Sequence, residues 1–270
     1  MPSANPKTKK NGNGELVTAL QALGFQRIAD ELDDLMARAT RQRWSAVQLL
    51  EYVAKLELQE RGRRSVARRL ARSRLGRFKP MADFDWDWPK QIERGAVERV
   101  LGLSFMERNE NVVLVANQGL GKTMIAKNIA HQAVLAGQSA LFVSASDLLL
   151  DLSKQDTARA LERRIRHYCT AHVLVVDELG YLSYDNHAAD LLFQIVTRRY
   201  ERRPVVLTTN LAFAEWNGVF PNAACATALI DRLTHHAQII RIEGTSYRRR
   251  EAEQAQQQRS QGQRDRRRRK

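Results

Sequence analysis

The chain has 270 residues, 43% of them hydrophobic, enough for one full-sized core and a smaller accessory domain. No run of about eighteen apolar residues occurs and the basic start MPSANPKTKK leads into no apolar stretch, so neither a membrane span nor a secretory leader is expected. Cys169 and Cys225 lack CxxC spacing, which leaves a disulfide framework or zinc site nothing to build on and points to a reduced, cytoplasmic setting.

The net charge is +14, and its distribution matters more than its size. Residues 61–79 carry nine Arg or Lys and no acid, and residues 247–270 carry ten basic and three acidic residues. Together these two segments outweigh the whole-chain charge, leaving the remainder slightly acidic. That is the electrostatic footprint of a nucleic-acid binder.

In chain order, residues 1–14 are polar and are expected to be disordered. From residue 15 to about 80, apolar residues recur at three and four positions: Leu16, Leu20, Leu23, then Ile28, Leu32, Leu35, Met36, then Leu49, Leu50, Val53, Leu56. This predicts a small all-helical domain of two or three amphipathic helices, with breaks at Gly24 and near Thr40–Trp44. The last of them should run into a basic helix over 61–79, where Arg61, Arg63, Arg64, Arg68, Arg69, Arg72, Arg74, Arg77 and Lys79 are candidates for duplex DNA phosphates, largely without sequence preference. Pro80 and MADFDWDWP then predict an extended linker that lays its rings on a neighbouring surface.

Over 81–246, strands are expected at Val112–Ala116, Ser139–Ser144, Val173–Asp177, Val205–Thr209 and Gln238–Ile242. Helices are expected between them at Lys122–Ala136, Leu161–Cys169, Ala188–Tyr200 and Ala226–His236. Apolar strands alternating with helices mean a parallel, doubly wound α/β sheet. Residues 247–270 are Arg- and Gln-rich and are expected to be disordered.

Between the first strand and helix lies Ala116-Asn117-Gln118-Gly119-Leu120-Gly121-Lys122-Thr123, followed by Met124. This is the context of a phosphate-binding loop, whose backbone N–H groups and helix dipole face the phosphates of ATP. Lys122 would reach the β/γ-phosphates and Thr123 would hold Mg2+. The strand Val173–Asp177 ends in Asp177 and Glu178, placing Asp177 for the Mg2+ shell and Glu178 to polarise an attacking water. Asn210, after Thr208 and Thr209, is positioned to orient that water. His235 and His236 are adjacent on an expected helix, where neighbours diverge, so capping or packing roles are expected rather than metal binding.

The order of phosphate loop, VLVVDELGYL, VVLTTNLAFAEW and ATALIDRLTHHAQIIRIEGTSYR resembles the IstB-like ATPases, AAA+ helper proteins of bacterial insertion sequences related to helicase loaders. The likeness runs through nearly the whole chain to Ser246-Tyr247-Arg248. It departs at Ala116, Asn117 and Gln118, where the family usually has Gly-Pro-Pro, and in the arginine-rich tail. The resemblance implies an AAA+ P-loop NTPase that self-associates on target DNA in an ATP-dependent oligomer, remodels the DNA, and recruits or activates a partner transposase. It also implies that Arg232 is an arginine finger reaching the γ-phosphate held by a neighbouring subunit. The alternative is a DnaC-like loader of a replicative helicase, built on the same core.

Overall fold

The structure, a computed structural model, describes residues 13–180, 184–221, 223–254 and 256. Contacts divide the chain into two compact units, Met1–Ala67 and Arg68–Lys270. The division lies inside a continuous helix, whereas the sequence places a break near Pro80; Val66 and Leu70 keep the helical period running across the boundary.

The first unit holds α1 (Gly14–Ala22), α2 (Gln26–Asp30), α3 (Leu32–Arg41) and the start of α4 (Ala46–Ser73). The turns between them take left-handed backbone at Gly24 (φ 81°) and Arg43 (φ 55°), the two regions where the apolar period breaks. Ile28, Leu35 and Leu56 form the buried centre, with Trp44, Leu49 and Tyr52 packed around it. At 28 residues α4 is about 42 Å long. It stops at Ser73, because Arg74 (φ 59°) and Gly76 (φ 60°) turn left-handed. Arg74, Arg77 and Lys79 therefore lie beyond the helix, and the expected basic helix covers only the arginines up to Arg72.

The second unit is built on a six-stranded sheet: β1 (Gln91–Ile92), β2 (Asn111–Ala116), β3 (Ala140–Ser144), β4 (Val173–Leu179), β5 (Val205–Thr209) and β6 (Ala237–Glu243). Its order is β1-β6-β2-β5-β4-β3, parallel throughout except for β1, which pairs antiparallel with β6 at the edge. The central strands are Val- and Leu-rich and buried on both faces, as a sheet covered by crossover helices requires. The crossovers are α7 (Lys122–Leu135), α8 (Ala145–Ser153), α9 (Ala158–Thr170), α10 (Asn186–Arg199) and α11 (Ala223–Thr234); α5 (Arg94–Leu101) and α6 (Ser104–Glu107) precede β2.

Two further sequence expectations change. The helix expected to run to His236 ends at Thr234, so His235 and His236 stand in a turn before β6. Residues 247–254, expected to be disordered, are helical. Arg249 N–H donates to Ser246 Oγ at 3.4 Å, while Arg250 lies 4.3 Å over the Trp88 ring and pairs with Asp85 at 3.1 Å. The linker aromatics thus supply the apolar surface that this segment's own sequence lacks. The expectations for residues 1–12 and beyond 256 lie outside the described residues.

Candidate phosphate-loop site

Strand order places the site. β2, β5 and β4 are adjacent and parallel, so their C-terminal ends bring the phosphate loop, Asn210 and the Asp177-Glu178 pair to one edge of the sheet. Gly119 (φ 78°) and Gly121 (φ 89°) carry the left-handed backbone that swings the loop into α7. Ala116 ends β2 paired with Ile242 and has no positive φ, so the missing first glycine demands nothing of the backbone.

Lys122 is only 8% exposed, and its ammonium donates to Ala116 O at 2.6 Å and Asn117 O at 2.9 Å. Burial, offset in part by Asp177 and Glu178, holds its pKa below the ordinary 10.5. Thr123 Oγ1 lies 3.1 and 3.0 Å from the two Asp177 carboxylate oxygens. Thr208 ties the acidic pair together: its hydroxyl donates to Asp177 Oδ1 at 2.5 Å and accepts from Glu178 N–H at 2.9 Å. Glu178 has φ 61°, and the β4–β5 register shifts between Val176 and Leu179. This bulge turns Glu178 out of the sheet while Asp177 stays buried.

A cavity of about 560 Å³ opens over the loop. Gln118 to Met124, Glu178 and Asn210 line it, and Asp177 stands behind Thr123. Arg232 does not line it; on α11 its guanidinium lies 4.5 Å over the Phe193 ring of α10. A Mg2+-nucleotide fits these residues on two observations: among the described residues the buried Lys122 ammonium is bonded only to carbonyls of its own loop, and a hydroxyl and a carboxylate converge beside it.

Other lining groups were not assigned to this site from sequence. Phe84 lies against Gly121, where an added Cβ would stand 2.6 Å from the ring. Trp88 Nε1 donates to Thr245 O at 2.8 Å, and Tyr247 N–H donates to Gly119 O at 2.9 Å. Arg248 and Glu251 line the cavity beside Lys79, whose carbonyl accepts from Asn128 Nδ2 at 3.0 Å. Lys79, grouped with the DNA contacts by its place in a basic run, thus lies at the cleft mouth, ion-paired with Glu251 at 3.4 Å. The rings of MADFDWDWP and the Ser246-Tyr247-Arg248 string were the available signals.

The remaining basic candidates differ in their surroundings. Arg61, Arg63 and Arg64 are compensated by Glu57 and Glu60, at 2.7 to 3.6 Å, and Arg61 also covers the Phe25 ring. The acids lie just before the acid-free run, so the run is less bare than its own composition implies. Arg68 and Arg72 are exposed on α4, and Arg77 is exposed after it. Arg69 is half-buried, and Arg74 lines a second cavity beside Asp151 and Arg164.

A model of the IstB-like ATP binding protein family matches residues 18–255. The chain belongs to this family. It is 34% identical over 241 residues to a Pseudomonas aeruginosa protein named for ATP binding in insertion sequence IS21, covering 89% of this chain and 91% of that one. It is 34% identical over 238 residues to the corresponding IS5376 protein of Geobacillus stearothermophilus, covering 84% and 95%. The crystal structure of DnaI superposes with a TM-score of 0.51 at 21% identity, over 62% of this chain and 89% of that one. The fold is that of AAA+ proteins, with a helical N-terminal region ahead of the sheet. Among the described residues, no helix is long and apolar enough to cross a membrane.

Proposed function

We propose that this IstB-like protein hydrolyses ATP in an oligomer assembled on duplex DNA and thereby controls delivery of that DNA to a partner transposase. The observation that carries the reading is the convergence of Lys122, Thr123, Asp177, Glu178 and Asn210 around one cavity. Lys122 and the loop amides hold the β- and γ-phosphates. Thr123 and Asp177 hold Mg2+, which when bound neutralises phosphate charge. Asn210 orients the attacking water and Glu178, turned into the cleft by its bulge, takes its proton. Arg232, remote from its own cleft, supplies transition-state charge to a neighbour's, which couples turnover to assembly.

The exposed arginines of α4 contact DNA phosphates, and the insertion-sequence relatives favour a transposase over a replicative helicase as the partner. The test is ATP turnover with duplex DNA present. Glu178→Gln is expected to keep nucleotide binding and lose hydrolysis by a factor of about 100 or more; undiminished turnover would remove Glu178 as the base.

A further inference from the structure

We propose that Glu201, His235 and His236 form a surface site for a divalent transition-metal cation, with zinc the best match. Each offers one ligand atom, and these atoms lie within 4.8 Å of one another. The Glu201 carboxylate is 3.5 Å from His236 Nε2 and 4.0 Å from His235 Nδ1. Two imidazoles and one carboxylate suit zinc, with a fourth position left for water. Tetrahedral ligands at about 2.0–2.1 Å from the metal stand about 3.3 Å apart, so closure needs only small torsions of three exposed side chains.

Adjacent histidines on a helix diverge, but these two follow its end. Their ring centroids are 4.1 Å apart. The Tyr200 hydroxyl is 2.5 Å from His235 Nδ1, and the two rings stack at 6.0 Å, which fixes the imidazole plane. Because one nitrogen cannot serve both, a metal on His235 Nδ1 must displace this hydrogen bond.

Both backbone segments are anchored by buried polar side chains. Arg199, 1% exposed, donates to the carbonyls of Tyr168, Ala171 and Pro204 at 2.7 to 3.0 Å, holding the turn that carries Glu201 at φ 57°. Asn111 Nδ2 donates to Arg232 O and Leu233 O, Asn111 N–H donates to His236 O, and Val205 N–H donates to Asn111 Oδ1. One asparagine therefore fixes the end of α11 and the start of β5. Anchored backbone under mobile side chains is what a metal site needs from its scaffold. A bound cation would brace α10 against α11, the two helices that hold the Phe193–Arg232 stack.

The test is a calorimetric titration of the chelator-treated full chain with Zn2+, with Mg2+ in excess to occupy the Thr123–Asp177 position, followed by visible absorption of the Co2+ form. The expected result is one Zn2+ per chain, a tetrahedral Co2+ spectrum, and at least tenfold weaker binding in His236→Asn and Glu201→Gln. Tyr200→Phe, which frees His235 Nδ1, should bind Zn2+ at least as tightly as the parent. Circular dichroism checks that each variant is folded, and Zn2+ should raise the melting temperature of the parent and not of His236→Asn. No uptake by the parent, or equal uptake by parent and folded variants, overturns the proposal.

Discussion

The Lys122 ammonium gives up water for two carbonyls of its own loop, and burial keeps its pKa low. A polyphosphate favours the charged form, so the bound-state pKa lies above that of the free protein. Above the free-state pKa, binding must take up a proton. ATP affinity should therefore fall by up to about tenfold per pH unit, beginning below the ordinary lysine value of 10.5. Titration calorimetry across that range in two buffers of different ionisation enthalpy reads both the affinity and the proton; a pH-independent affinity contradicts the assignment. Gly121 is a second single-residue test. Alanine there meets Phe84 at 2.6 Å with φ at 89°, costing about 1–2 kcal/mol in backbone strain alone. Gly121→Ala should weaken nucleotide binding, whereas Gly137→Ala, also left-handed but with nothing near its Cβ, should cost stability alone.

The lining residues of the loop were legible at this scale, because backbone chemistry dictates Gly119, Gly121, Lys122 and Thr123 in sequence order. Thr208 was not: threonine in an apolar strand reads as β-propensity, and only the neighbouring strand gives its hydroxyl Asp177 and Glu178 N–H as partners.

At the scale of elements, α4 carries the sharpest prediction. Among the described residues, Arg61, Arg63 and Arg64 have carboxylate partners, whereas Arg68 and Arg72, exposed like Arg61 and Arg63, have none. Replacing Arg68 and Arg72 with Gln should reduce the salt slope of DNA binding by about two, near 0.9 per phosphate contact, and weaken binding to unrelated duplexes alike. Replacing Arg61 and Arg63 should change the slope less. Equal effects from both pairs, measured by fluorescence anisotropy against salt, would remove the distinction. Strands β2 to β6 could be read from their apolar runs and α7, α9, α10 and α11 from their periodicity, whereas β1, two residues long, and α8 were not expected. The start of α8 hides a Ser144 cap on Asp147 N–H directly behind β3, and residues 247–254 depend on Trp88 and Asp85, which lie more than 150 positions earlier in the chain. Local pattern carries no signal for such a partner.

For the whole molecule, the sheet order sets what one chain can do alone. It gathers five of the expected catalytic and metal-holding residues at one cleft and leaves Arg232 on α11, away from it. In the proposed mechanism a complete site requires a second copy, so turnover should rise with protein concentration and with DNA long enough to hold neighbours. Chain order alone conveyed the αβ alternation, but not which strand ends would be adjacent. The most direct test mixes two inactive variants, Glu178→Gln, which keeps its finger, and Arg232→Ala, which keeps its base. On duplex DNA each alone should hydrolyse ATP poorly, and the mixture should recover turnover in the fraction of interfaces that pair an intact cleft with an intact arginine. No recovery on mixing, or full activity of Arg232→Ala by itself, would contradict a hydrolytic site shared between subunits.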